Sequence, residues 1–265
     1  MMQPMVQFAL RALRGAQEQF VRIRERLEIA REDNTLDELL ADAGGRAESL
    51  IASHFARGYP QHGLSGRYIP RRESSGESRG WEWQIELFHG YPNLAIGAPG
   101  CAISLVCLHN GRPECAVVIS PFTDEEFVAS RGRGVQMNGH RLRVTRRTAV
   151  DGARLAMGLP ESWMQARHID RWQSLSTRLG PRMGLLRTSG CPLLDLLELA
   201  SGRVDAALVL GIDEQDLHIA NLMLKEAGAL MGSPEGHPQV APEGVLMAAA
   251  PRLYKQLVQL VGTAA

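Results

Sequence analysis

Apolar and polar positions recur along this chain first with a helical period, then in short strand-like runs, then in alternation of the two. Near the start, Val6, Ala9, Leu10, Leu13, Phe20, Ile23, Leu27 and Ala30 fall at steps of three and four residues. That spacing predicts one amphipathic helix, with Arg and Glu on its other face. A second stripe, Leu36, Leu39, Leu40, Ala43, Ala47, Leu50, Ile51 and Phe55, predicts a helix over about 36–55. Gly44-Gly45 interrupts it, each glycine costing about 1 kcal/mol relative to alanine. Residues 58–81, rich in Gly, Pro, Ser and Arg, read as a mobile loop.

Short apolar runs follow at 82–87, 101–108, 114–120, 125–130 and 134–144, separated by turn signals such as Asn110-Gly111-Arg112-Pro113 and Asn138-Gly139. Asn-Gly is a strong hairpin signal because both residues tolerate positive φ. This half reads as a helix pair on an antiparallel sheet, residues 1–148. From about 150, strand-like segments at 153–158, 183–187, 204–210 and 244–249 alternate with helical ones at 161–179, 192–201, 213–227 and from Pro251. Residues 149–265 therefore read as an α/β half with a mixed sheet.

Composition narrows the class. The chain has 265 residues, 45% hydrophobic and 22% charged, with 29 basic against 29 acidic side chains. It is long enough for one large domain or two smaller ones, and no global field favours nucleic acid or an acidic membrane. Arginine is concentrated locally, at Arg67–Arg79 and Arg141–Arg147, which fits anion recognition or a solvated face. No apolar stretch reaches the roughly 18 residues that span a bilayer, and the N-terminus lacks the features of a signal peptide. Cys101, Cys107, Cys115 and Cys191 have no Cys-x-x-Cys spacing and read as buried reduced thiols. A cytoplasmic location is expected.

Several strings carry a family likeness when taken in order: Tyr59-Pro-Gln-His62, Asn93-x-x-x-Gly97-x-Pro99, Glu126-Phe127-x-Ala129-Ser130-Arg131-Gly132-Arg133-Gly134, Asn138-Gly139 with Leu142-Arg-Val144, Gly202-Arg203-x-Asp205-Ala206, and Glu226-Ala227-Gly228. Together they resemble the bacterial branch of the inositol monophosphatase family across nearly the whole chain. The resemblance implies a layered α-β-α-β-α sandwich, usually a homodimer, and an enzyme that hydrolyses small phosphate monoesters with Mg²⁺. It also implies a set of metal-binding carboxylates, because paired hard dications need several oxygen ligands close by.

Matched position by position, the chain departs from that set. The family's Gly-Glu-Glu loop falls on Gly66-Arg67-Tyr68. Its Asp-Pro-x-Asp-Gly-Thr turn falls on Glu86-Leu87-Phe88-His89-Gly90-Tyr91, and its Trp-Asp-x-Ala-Ala helix start on Gln215-Asp216-Leu217-His218-Ile219. A further Asp on the second helix falls on Gly44. Glu86 and Asp216 keep a carboxylate, His89 is a poor Mg²⁺ ligand, and Arg67 is expected to pair with Glu86 or Asp216 in place of a cation.

The expected function is a weak or inactive family member that works by binding protein, RNA or a phosphorylated ligand, with no cofactor. The alternative is a phosphatase of inositol monophosphate or a similar monoester, using Mg²⁺ or Mn²⁺ at Glu86, His89 and Asp216. Those three residues are the candidate catalytic remnants; Arg67, Gly90, Tyr91, Arg187 and Gly190 are the candidate ligand-binding positions. Arg187 enters with the turn Gly190-Cys191-Pro192, since helix N-termini favour anions. Glu86, His89, Asp216 and His218 also form a two-His, two-carboxylate set of the kind that suits a transition metal, although Asp216 and His218 diverge by roughly 200° around a helix.

Overall fold

The first stripe does form a helix, but not a continuous one. A computed structural model describes residues 4–159 and 162–262. In it, α1 (Pro4–Ile23) gives way to a 3₁₀ turn at Arg24–Arg26 before α2 (Leu27–Glu32). The tighter winding of a 3₁₀ turn re-phases the stripe, so that Leu27 and Ala30 stay buried, while Arg24 Nε donates to the Gly97 carbonyl at 3.3 Å.

The second stripe forms α3 (Leu36–Gly58), which runs through Gly44-Gly45 without a break. Its buried face is Leu39, Leu40, Ala43, Gly44, Ala47, Glu48, Ile51 and Phe55. Leu50, assigned to the stripe from spacing, is instead 47% exposed. After α3 come β1 (Gly63–Ser65), β2 (Trp81–His89), α4 (Tyr91–Ala95), β3 (Ala102–His109), β4 (Arg112–Ser120) and β5 (Glu125–Ser130). Strands β1 to β5 are neighbours in chain order. β1 pairs parallel to β2, and the other pairs are antiparallel. The β3–β4 hairpin turns through Asn110 and Gly111, at φ of 51° and 76°. Fully buried Trp83, Phe20 and Phe55 anchor the core between this sheet and α1 and α3.

The described residues divide into two compact units after Arg131. The second begins with β6 (Gly134–Met137) and β7 (His140–Arg141), a hairpin whose turn is the expected Asn138-Gly139, φ 49° and 80°. There follow β8 (Ala153–Gly158), α5 (Ser162–Leu179), β9 (Met183–Arg187), α6 (Pro192–Ala200), β10 (Ala206–Leu210), α7 (Glu214–Ala227), β11 (Leu230–Gly232), β12 (Val245–Ala249) and α8 (Pro251–Gly262). The expected start of the helix at Glu161 lies outside the described residues.

The strand order is β11-β12-β10-β8-β9, parallel at β8–β9 and β8–β10 and antiparallel at β10–β12 and β11–β12. This is the mixed sheet that the alternation predicts. One face buries Leu155, Met157, Leu208 and Leu210 with Leu175 and Leu179 of α5 and Leu253 and Leu257 of α8. Alternate residues such as Ala207 and Val209 lie on the other face, where α6 packs. The four cysteines are buried and free, and burial pushes the Cys101 thiol up to about 12.

Candidate functional site

In the first unit the site-bearing positions converge where β2 ends. The β2–β3 register shifts between Glu86 and His89, and this irregularity lets the Glu86 carboxylate fold back on its own turn. Its Oε1 accepts from the backbone N–H groups of Leu87 and Phe88, both at 2.8 Å. His89 is buried and its Nε2 lies 2.8 Å from Ser104 Oγ on β3. Gly90 takes the left-handed conformation, φ 69°, that starts α4, which a residue with a Cβ adopts only at a cost. The Tyr91 hydroxyl donates to Asp37 Oδ1 at 2.7 Å. Burial, with that hydrogen bond, pushes its phenol up to about 12.

The loop at 66–69 is held by a residue that spacing alone passed over. Glu48, on α3, is 1% exposed, and its carboxylate accepts from the N–H groups of Arg67, Tyr68 and Ile69 at 2.8, 2.6 and 3.0 Å. A Cβ on Gly66 would come within 2.4 Å of Glu48 Oε2, so the glycine is what allows the carboxylate so close. The signal was present in the sequence: Glu48 lies four residues after Gly44 and three before Ile51, squarely on the buried face. Arg72 adds hydrogen bonds to the carbonyls of His62 and Tyr59, and Leu64 and Arg72 bridge. The first part of the segment expected to be a mobile loop is therefore tied down.

Aromatic rings fill the space between these elements. An ideal Cβ on Gly44 would lie 2.6 Å from Tyr68 Cε2 and 2.9 Å from Phe88 Cζ. The Tyr68 and Phe88 rings meet edge to face with centroids 6.1 Å apart, and the Arg67 guanidinium carbon sits 5.7 Å from each ring centroid. Arg67 thus stacks on aromatics, and the expected ion pair with Glu86 does not form; Glu86 spends its oxygen on backbone N–H groups instead. The neighbouring Gly45 meets nothing within 4 Å, because it lines an open cavity of about 720 Å³ together with Gln19, Ser49, Leu50 and Tyr68.

In the second unit, Asp216 lies in the first turn of α7 and is 6% exposed. Its backbone N–H donates to Asp213 Oδ1 at 2.7 Å, an N-cap that fixes the helix start. His218 is half-buried, and burial lowers its pKa. Arg187 faces a carboxylate: its Nη1 is 2.7 Å from Glu198 Oε2. The turn through Gly190, φ 81°, delivers the Ser189 N–H to Asp195 Oδ1 at 3.2 Å. Asp195 is fully buried, and that burial pushes its carboxyl up to about 6. The N-terminal turn of α6 therefore already holds an internal carboxylate, which the sequence reading did not anticipate. Among the described residues, no group of three or more His, Cys, Asp or Glu side chains comes together as a metal site would require.

Two sheets packed by helices, the first largely antiparallel and the second mixed, define a protein of mixed α and β class, and a family model fixes it further. The chain belongs to the inositol monophosphatase family, whose model matches residues 1–264. Among curated relatives it is similar to the Nus factor SuhB of Pseudomonas aeruginosa, 34% identical over 98% of this chain and 96% of that protein. It is also 29% identical to the Nus factor SuhB of Escherichia coli, over 97% of this chain and 95% of that one. Among solved structures, the extragenic suppressor protein suhB of Bartonella henselae superimposes with a TM-score of 0.78 at 22% identity, covering 98% and 99% of the two chains. The inositol monophosphatase of Anabaena superimposes with a TM-score of 0.78 at 21% identity, over 97% and 94%. Those two likenesses speak for the fold.

Proposed function

We propose that this chain is a SuhB-type member of its family that acts by binding and has little or no metal-dependent phosphatase activity. The observation that carries the reading is the packing at Gly44, where the Tyr68 and Phe88 rings leave no room for a side chain. A carboxylate at that position would need those rings to move. Beside it stands Arg67, whose fixed positive charge repels a cation at short range. Glu86 is partly spent on its own turn, and His89 is held against Ser104. These residues do not fit a pair of hard dications, which need several free carboxylate oxygens.

Relatives named Nus factor match over nearly their whole length, which supports the same kind of role here, exercised through protein or RNA partners. A homodimer is part of the proposal. It is supported by β9, the outermost strand of the second sheet, which leaves Leu185 44% and Leu186 38% exposed. No helix among the described residues is long and apolar enough to cross a membrane, and we place the protein in the cytoplasm.

The decisive assay titrates Mg²⁺ and Mn²⁺ against inositol monophosphate and a generic phosphate monoester. No metal-dependent turnover is expected. Turnover that rises with metal and disappears in Asp216→Ala would establish the phosphatase reading instead, with Glu86, His89 and Asp216 as ligands. Sedimentation at the mass of a monomer would remove the dimer from the proposal.

A further inference from the structure

A basic cavity lies in the second unit, at the far end of α7 from Asp216. It has a volume of about 510 Å³ and is lined by residues 143–148, by Ala227 and Gly228 at the end of α7, and by Ala250, Pro251 and Arg252 at the start of α8. Asp216 and Ala227 are eleven residues apart on one helix, about 16 Å along its axis. The cavity is therefore a separate place from the one that the family frame marks.

Four arginines are among its lining residues, Arg143, Arg146, Arg147 and Arg252, and no Asp or Glu is. Arg143 Nη1 donates to the Glu226 carbonyl at 3.3 Å. Arg147 Nε donates to the Ala149 carbonyl at 3.0 Å, and its Nη2 donates to the Asp151 carbonyl. These bonds to carbonyls fix two of the heads, and the Asp151 carboxylate, already paired with Arg182, adds only a weaker attraction for Arg147. Arg146 and Arg252 are exposed and make no ion pair among the described residues. Two acidic side chains lie close in sequence and both are engaged elsewhere: the Glu226 carboxylate accepts from Gly132 N and Gly134 N at 2.6 and 2.7 Å, and that of Asp151 accepts from Arg182 Nε at 2.6 Å.

A second feature adds to the field. Helix α8 starts at the cavity with no acidic residue in its first turn. The partial positive charge of a helix N-terminus attracts anions. The last carbonyls of α7, which would oppose an anion, are already engaged: Val144 N takes the Ala227 carbonyl at 3.1 Å, and Arg143 takes that of Glu226.

We propose that this cavity binds an oligophosphate group, such as the di- or triphosphate portion of a small molecule. Adjacent phosphoryl groups present several charges and acceptor oxygens within one compact unit, and guanidinium forks match such oxygens in pairs. The volume is that of a small-molecule pocket, in the range of about 300–1,000 Å³. Val144, Ala227, Ala250 and Pro251 supply apolar wall beside the charges.

The test is calorimetric titration of the full chain with inorganic tripolyphosphate in a metal-free buffer containing EDTA. Inorganic phosphate and a short single-stranded RNA serve as parallel ligands. The proposal expects one tripolyphosphate per chain, bound more tightly than phosphate and more weakly as salt is raised. Affinity should fall by more than about 10-fold in Arg146→Ala/Arg252→Ala, and be unchanged in Arg112→Ala, an exposed arginine of the first unit. Both altered arginines are exposed and make no ion pair among the described residues, so an unchanged melting curve is expected. Absence of saturable tripolyphosphate binding would overturn the proposal, as would an equal loss in Arg112→Ala. Arginine-dependent binding of the RNA without tripolyphosphate binding would overturn it too, by assigning the cavity to a nucleic-acid backbone.

Discussion

Gly44 and Gly45 are adjacent in one helix, and the structure gives them opposite roles. A Cβ on Gly44 would press into Tyr68 and Phe88, while one on Gly45 would meet open space. Gly44→Ala should therefore destabilise by about 1–3 kcal/mol through overpacking. Gly45→Ala should stabilise by about 0.5–1 kcal/mol, because it restricts the unfolded chain and favours helix. Urea denaturation of the two variants checks the sign of each.

Asp195 permits a similar test with pH. Its carboxyl is pushed from 3.8 to about 6 by burial, so between those values the folded chain holds a proton that the unfolded chain has released. Stability must then fall as pH rises through that window, by about 3 kcal/mol in full. Asp195→Asn can still accept from Ser189 N and should lose this dependence. Denaturant midpoints of both proteins from pH 4 to pH 7 decide it, and parallel profiles would contradict the assignment.

At the scale of elements, periodicity carried most of the information. The strands β2 to β5, both Asn-Gly hairpins and the alternation after residue 150 followed from spacing and turn chemistry, because each buries one face or needs positive φ. What spacing could not show was where a polar residue is pulled inside. Glu48 is no part of the apolar stripe, yet it organises the loop that follows, and Asp195 sits in a leucine-rich helix. The 3₁₀ turn at Arg24–Arg26 was also invisible, since the stripe continues across it. The candidate site was legible as a set of positions in a family frame, but not as packing: the two rings against Gly44, Tyr68 and Phe88, come from segments far from it in sequence. Glu48→Gln weakens three charge-assisted hydrogen bonds of a buried group, each worth about 1.5–3 kcal/mol, so the loop at 66–69 should open locally before the fold melts. Hydrogen exchange should accelerate at Arg67, Tyr68 and Ile69 well ahead of the α3 amides. Unchanged protection there would show that the clamp is dispensable.

For the whole molecule, family membership and function separate. The chain keeps the fold of its family from end to end, which requires only the buried stripes, the hairpins and the mixed sheet. Metal-dependent hydrolysis makes a stricter demand, that several carboxylates remain open to hard cations at once. In our reading the first unit has exchanged that demand for ring packing and a guanidinium. The most direct measurement is the binding of Mn²⁺ to the full-length chain, followed by loss of the free-ion paramagnetic resonance signal. No saturable site with a dissociation constant below about 1 mM is expected. Two Mn²⁺ bound per chain in that range, and lost together in Glu86→Ala, would contradict it.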